Sequence, residues 1–170
     1  VNGIEMAKDD LQYISDNCIY LFSRSNGRLR YCVDKYKNIR LFKSVFSESE
    51  ENFSFSDDCS EHLFIGHTVT YAMLQLAVYM GFKKIYLLGI DHQYATQFVN
   101  GIEEKNNVKN YSSLLEEDDV GGFYLIDKTT LAYRAARKYA DEHGIHIYNA
   151  TRGGKLEVFE RVDFDTIFEC

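Results

Sequence analysis

The sequence lacks several features that often narrow the class of a protein. It has no proline and no tryptophan in 170 residues, although an average proline usage of ~5% predicts about eight. Proline-rich linkers and recognition motifs are therefore excluded. No run of eighteen apolar residues is present, so we expect no membrane span. A basic start followed by an apolar core is also missing, so we expect no signal peptide.

Positive charge is scarce as well. The 19 Lys and Arg residues stand against 26 Asp and Glu residues, which gives a formal net charge of −7. A protein that binds DNA or RNA over its whole surface carries the opposite sign, so no nucleic-acid partner is expected, although a local basic patch is compatible with this balance. Hydrophobic residues make up 45% of the chain, which is typical of a globular protein and predicts one domain over residues 1–170.

Cysteine and histidine give little indication of a metal site. The five histidines form no H-E-x-x-H motif, so neither a metal nor another cofactor is predicted. The cysteines are far apart and form no C-x-x-C pair, which favours reduced, mostly buried thiols in a cytoplasmic protein. They are Cys18, Cys32, Cys59 and Cys170.

The clearest order in the chain is a unit of helix, glycine, apolar strand and polar loop. Its best copy begins at Thr68, a good N-cap, and continues as an apolar helix over Val69–Met80 that ends at Gly81. The following stretch, Lys84–Gly89, predicts a strand buried on both faces, as in parallel sheets. A polar loop begins at Gly89 and includes Asp91 and His92.

Two further copies of this unit can be identified. One begins at Asp127 as a candidate N-cap, has an alanine-rich face opposite a charged face, and continues after Gly144 into a strand over Ile145–Tyr148. The weaker copy has a helix over Lys8–Asp16 and a strand over Cys18–Phe22. Ile39–Phe42 is a further candidate strand. Helices that alternate with buried strands predict an α/β fold with a mostly parallel sheet between layers of helices.

The segment 95–126 separates the two best units and has weak periodicity. Loops of this length in compact domains are usually functional or disordered. Hydrophobic and aromatic positions recur along it, which favours a lid over the site. These positions are Tyr111, Leu114, Leu115, Phe123 and Tyr124.

Ligands of open parallel sheets bind beyond the carboxyl ends of the strands. Two polar loops occupy that place here and are expected to meet over one crevice. Asp91 either accepts hydrogen bonds from sugar hydroxyls or caps the next turn. The stretch 151–155 either forms an anion-binding nest with Arg152 as a planar fork, or a tight turn with solvated charges. Thr68 either helps to hold a phosphate at the helix N-terminus or only caps the helix.

Two separated segments resemble a known family. They run from Gly66-His67-Thr68 to Gly89-Ile90-Asp91-His92-Gln93-Tyr94, and over 147–159. Over about residues 60–165 they resemble the 6-hydroxymethylpterin pyrophosphokinase MptE-like family, which is similar to the bacterial lipooligosaccharide sialyltransferases. The resemblance implies a Rossmann-like three-layer α/β domain with a lid, which transfers a glycosyl or pyrophosphoryl group from an activated donor. For a glycosyl group, the donor would be a nucleotide-activated sugar, such as a CMP-sugar, used in surface polysaccharide synthesis. The implied partners are that donor and a glycan acceptor, and self-association is a further expectation.

The resemblance also implies residue roles. The donor site would be lined by Gly66, Thr68, Asp91, Tyr94, Asn149 and Arg152. The sialyltransferases have a lid histidine as the proposed base, and this chain has no histidine between His92 and His143. His92, Tyr124 or Asp119 would replace it. Relatives also carry a Gly-rich loop near their N-terminus that is missing here, so we expect this chain to be a C-terminal portion that lacks the first strand and loop.

Two alternatives to a glycosyltransferase remain open. One is a pyrophosphokinase that transfers from ATP to a pterin, which needs Mg²⁺ held by clustered carboxylates. The other is a non-catalytic interaction domain, which is favoured by the missing N-terminal loop and the missing lid histidine.

Overall fold

The structure is a computed structural model that describes residues 19–23, 37–46, 53–94, 96–106 and 125–168. These residues combine helices with mostly parallel strand pairs, which confirms the α/β class. The predicted helix Lys8–Asp16 lies outside them. The strands are β1 (Tyr20–Ser23), β2 (Ile39–Phe42), β3 (Ser44–Phe46), β4 (Leu63–Ile65), β5 (Lys84–Leu87), β6 (Thr96–Val99), β7 (Ile102–Lys105), β8 (His146–Asn149) and β9 (Glu160–Arg161). The helices are α1 (Val69–Tyr79), α2 (Ile126–Glu142) and a 3-10 helix, Phe164–Thr166.

The strand pairs place the ends of two strands side by side. β8 lies between β5 and β9 and is parallel to both. Leu87, the last residue of β5, is in register with Asn149, the last residue of β8. β1 and β2 form a parallel pair, as do β3 and β4, so the predicted strand Ile39–Phe42 is confirmed. The loops that follow β5 and β8 therefore start from the same edge of the sheet.

Helix α1 forms as its sequence predicts. The Thr68 hydroxyl accepts a hydrogen bond from the backbone N–H of Thr70 at 3.3 Å, and Gly81 ends the unit with φ +88°. Gln75 is fully buried on this helix. Its side-chain oxygen accepts from the N–H groups of Ser56 and Phe64, and its amide donates to the Phe64 and Tyr71 carbonyls. This carboxamide joins α1 to β4 with no buried polar atom left unpaired.

The N-cap of helix α2 lies two residues earlier than predicted, at Leu125 instead of Asp127. Leucine has no side-chain acceptor, so the cap makes no side-chain hydrogen bond, and Leu125 forms a bridge to Phe98. The Asp127 carboxylate instead accepts a hydrogen bond from the N–H of Asn100. The predicted faces are confirmed, since Ala132, Ala136 and Ala140 are buried while the charged side is exposed.

The core lies between the two helices, one face of β5 and β8, and the segment 156–159. On that face, Leu87 and Ile147 are buried. On the other face, Tyr86 stacks on Tyr148 with ring centroids 5.3 Å apart, and both are only half-buried. The prediction that β5 is buried on both faces is therefore wrong for the residues described. An apolar run of four residues does not show how many layers cover it.

The first part of the predicted lid is a β-hairpin. β6 and β7 pair antiparallel around Asn100-Gly101, whose φ angles are +50° and +76°. Two consecutive residues with positive φ form the turn that matches the twist of a hairpin. The last residue of the predicted segment, Ile126, belongs to α2, and residues 107–124 lie outside the description. Neither α1 nor α2 is long and apolar enough to cross a membrane.

Candidate functional site

The two polar loops meet at the edge where β5 and β8 end. The Lys155 N–H donates to the Asp91 carbonyl at 2.7 Å, and the Ile90 N–H donates to the Thr151 hydroxyl at 3.1 Å. Gly154 approaches so closely that a Cβ there would lie 2.9 Å from the Asp91 Cα and carbonyl oxygen. The expectation that both loops share one crevice is confirmed.

The shape of the second loop is fixed from within. The Asn149 side chain, 1% exposed, accepts from the Thr151 N–H at 3.0 Å and donates to the Leu156 carbonyl at 2.8 Å. The Arg161 guanidinium donates to the carbonyls of Thr151, Gly153 and Gly154 at 3.3, 2.8 and 3.1 Å. The Asn149 side chain thus contacts the protein's own backbone rather than the crevice.

A groove of about 640 Å³ runs from these loops along the charged face of α2. His92, Thr130 and Lys155 contribute to its wall, and the helix side continues to Glu142. Thr130 and Glu142 are twelve residues apart, which at a rise of ~1.5 Å per residue makes that wall about 18 Å long. We call the part formed by His92, Thr130, Arg134 and Lys155 the groove head.

The groove head carries unpaired positive charge. Farther along α2, Arg137 pairs with Asp141 at 2.8 Å and Lys138 with Glu142 at 4.0 Å. Glu157 pairs with Arg161 at 2.7 Å, and this hydrogen bond lowers the pKa of the carboxyl. Within the ranges that the structure describes, Arg134 and Lys155 have no acidic partner. An acidic chain thus presents two cations together, as an anionic ligand requires.

His92 enters the groove head in a constrained conformation. Its φ is +52°, which is uncommon for a residue with a Cβ. Its Nε2 lies 2.9 Å from the Thr130 hydroxyl, which itself donates to the Ile126 carbonyl at 2.8 Å. Because that hydroxyl proton is already used, Nε2 must donate, and Nδ1 keeps the free electron pair. Burial lowers the pKa of this imidazole below its ordinary 6.5, which favours the neutral, basic form at pH 7.

The other predicted site residues lie elsewhere. Arg152, 72% exposed, pairs with Asp165 at 2.5 Å and lies 5.5 Å from the Phe164 ring centroid, in a separate hollow of about 320 Å³. Its guanidinium is therefore turned to the 3-10 helix, away from the groove. The Tyr94 backbone makes two hydrogen bonds with the hairpin region. Its N–H donates to the Gln97 side chain at 3.3 Å, and its carbonyl accepts from the Asn106 side chain at 3.0 Å.

Gly66 and Thr68 also have local explanations. A Cβ on Gly66 would lie 2.5 Å from that of Ala132, so this position needs glycine for the close approach of α2. Thr68 caps α1. Tyr124 and Asp119 lie outside the described ranges, so the structure gives no view of them as bases. The Asp91 side chain is exposed, and its backbone contacts the second loop, but it is not among the residues that line the groove.

Sequence reasoning missed Arg134, Thr130 and Arg161. Arg134 sits in the charged stripe of an amphipathic helix, where a solvated role is the ordinary one. The i, i+4 spacing of Thr130 and Arg134 placed them on one face, but only the position of His92 shows that this face lines a groove. Cys59 is half-buried, and burial raises the pKa of its thiol to about 11, so it is protonated at neutral pH.

In the parts of the chain described, no three His, Cys, Asp or Glu side chains come together as metal ligands. Comparison with protein-family models, curated proteins and solved structures finds no significant match. The resemblance to the MptE-like family stays a prediction.

We predict that Gly154→Ala is more destabilising than Gly153→Ala. Both residues have positive φ, +73° and +76°, so each alanine costs about 1–2 kcal/mol in backbone strain. Only the Cβ at 154 also meets the Asp91 backbone, which adds about 1–3 kcal/mol. Urea denaturation of both variants measures the difference in unfolding free energy. Equal destabilisation would show that the loops do not meet as described.

We also predict that His92 and His143 hold opposite neutral tautomers. The His143 Nδ1 lies 2.8 Å from the Tyr139 carbonyl, which only accepts, so its proton is on Nδ1, whereas that of His92 is on Nε2. The chemical shifts of the ring nitrogens in NMR spectra distinguish these two forms, and the His92→Gln variant identifies which signals belong to His92.

The imidazole of His92 should titrate with a pKa below 6.5, because burial disfavours its charged form. Because the unfolded chain then binds the proton more tightly, this group lowers the unfolding free energy as the pH falls below 6.5. An Nδ1 proton on His92, or a pKa above 6.5, would contradict this geometry.

Proposed function

We propose that the chain is a Rossmann-like, three-layer glycosyltransferase domain of surface polysaccharide synthesis, which transfers a sugar from a nucleotide-activated donor to a glycan hydroxyl. The observation that carries the proposal is the groove head, where His92, whose burial favours the neutral imidazole, lines the same groove as two cations that have no acidic partner among the described residues. Its place beyond the carboxyl ends of two parallel strands is where such folds bind ligands. The resemblance to the MptE-like family and the sialyltransferases points in the same direction.

The proposed reaction uses both features of the groove head. Nδ1 of His92 takes the proton of the acceptor hydroxyl as its oxygen forms a bond to the anomeric carbon. The bond from that carbon to the donor phosphate breaks, and the electron pair leaves with the phosphate. Lys155 and Arg134 stabilise the negative charge that grows on the leaving group. Asp91, whose exposed side chain follows β5 next to His92, would accept hydrogen bonds from sugar hydroxyls.

The site residues of this proposal differ from those implied by the resemblance. Arg152 is replaced by Lys155 and Arg134 as the phosphate-binding cations, because its own guanidinium pairs with Asp165 outside the groove. Among the three candidate bases, His92 alone lies within the described residues, and its geometry suits the role. The lid predicted over 95–126, whose first part is the hairpin, and a cytoplasmic location remain part of the proposal.

Calorimetric titration with CMP, CDP, UDP, GDP and ATP, with and without Mg²⁺, tests the donor site. We expect binding of at least one cytidine or uridine nucleotide without Mg²⁺. Lys155→Met and Arg134→Met should each weaken it about tenfold, as loss of one charge-assisted hydrogen bond does. Arg152→Met should weaken it less.

Lys84→Met is the matched control, because Lys84 is an exposed cation at the opposite end of β5. Unchanged affinity in both groove-head variants would contradict the proposed site. ATP binding that requires Mg²⁺ would favour the pterin pyrophosphokinase instead. No binding to any nucleotide would favour the interaction domain.

A further inference from the structure

Arg161 contacts the crevice loop in a way that neither the proposed reaction nor the sequence explains. Its guanidinium reaches three backbone carbonyls of that loop, those of Thr151, Gly153 and Gly154. Its remaining edge meets Glu157, whose carboxylate is 2.8 Å from Nε and 2.7 Å from Nη2. A planar fork of five donors can make such a set of contacts, and an ammonium cannot.

These contacts fix the direction of the peptide dipoles. In a planar trans peptide, the carbonyl of one residue and the N–H of the next point in opposite directions. With the carbonyls of 151, 153 and 154 drawn to Arg161, the N–H groups of Arg152, Gly154 and Lys155 point away from it. Of these three groups, the Lys155 N–H reaches the first crevice loop, where it donates to the Asp91 carbonyl at 2.7 Å.

The side of the loop opposite Arg161 therefore presents peptide N–H groups rather than carbonyl oxygens. In the part of the chain that the structure describes, the N–H groups of Arg152 and Gly154 have no backbone or side-chain acceptor. The positive φ of both Gly153 and Gly154 permits this arrangement. If the peptides turned over, carbonyl oxygens would face the crevice and repel an anion.

We infer that Arg161 is a positioning residue, which keeps the N–H side of loop 151–155 toward the groove head so that it accepts a diphosphate. This inference rests on the proposed function. Arg161 does not touch the ligand in this account. It acts through the loop, while Lys155 and Arg134 supply the charges that contact the anion.

Binding of inorganic pyrophosphate, compared between the full chain and Arg161→Met, tests this role. The methionine keeps the apolar stem and removes every donor. We expect at least a tenfold weaker affinity at a temperature well below unfolding, and faster hydrogen exchange of the Lys155 amide, which loses its fixed partner. Arg40→Met is the control, because Arg40 is also an arginine that donates to backbone carbonyls, those of Lys37 and Ile39, and it lies in β2 outside the residues that line the groove. This variant should bind pyrophosphate as the wild type does.

The two proposals fail in different ways. If the wild type binds pyrophosphate and Arg161→Met binds equally well, the positioning role is wrong and the proposed site stands. If Arg161→Met only lowers the unfolding midpoint, with affinity and Lys155 exchange unchanged in the folded protein, Arg161 is merely structural and the inference is overturned. If the wild type binds neither pyrophosphate nor any nucleotide, the proposed function and a role of Arg161 toward an anion both fail, even where the Lys155 exchange confirms the contact.

Discussion

The hydrogen bond from the Lys155 N–H to the Asp91 carbonyl is the contact on which the candidate site depends. At 2.7 Å it joins two loops that are more than sixty residues apart in the chain. It forms because β5 and β8 are neighbours that end in register, and because Gly154 has no side chain to separate the loops. Once they meet, His92 and Lys155 necessarily lie at one end of the groove along α2. The rigid strands thus position a site that is built from loops.

The electrostatics of the groove follow from which charges are already paired. The chain as a whole is acidic, and net charge alone predicts no affinity for anions. Along the groove, however, Asp141, Glu142 and Glu157 each pair with a cation of their own. These exposed pairs contribute little to stability. Among the described residues, their effect is to leave Arg134 and Lys155 as the local excess of positive charge in the groove head.

The local features of the fold and the meeting of the two crevice loops could be predicted from sequence, and the individual side-chain contacts between distant segments could not. Thr68 and Gly81 mark the ends of α1 because capping depends on adjacent residues, and the alanine spacing of α2 fixes its buried face. The hairpin is not among the predicted features, because segment 95–126 is interpreted as a lid with weak periodicity, although Asn100-Gly101 is a turn signal that could have revealed it. By contrast, Arg152 has two candidate roles in sequence, and only the position of Asp165 decides between them in favour of an ion pair. Arg161 offers no signal at all, because its partners are carbonyl oxygens that every residue carries. From sequence, the charged face of α2 that contains Arg134 is expected to be solvated. Only the position of His92, which contacts Thr130 on the same helix, shows that this face lines a groove.

An NMR titration that maps where a diphosphate binds tests the central claim most directly. Amide and ring signals of the full chain would be followed as CDP or UDP is added without Mg²⁺. We expect the largest shifts at His92, Arg134, Gly154 and Lys155, with smaller changes at Asp91. Shifts centred on Arg152 and Phe164, or on the start of α1 at Thr68, with the groove head unchanged, would contradict the account and move the ligand to another part of the molecule.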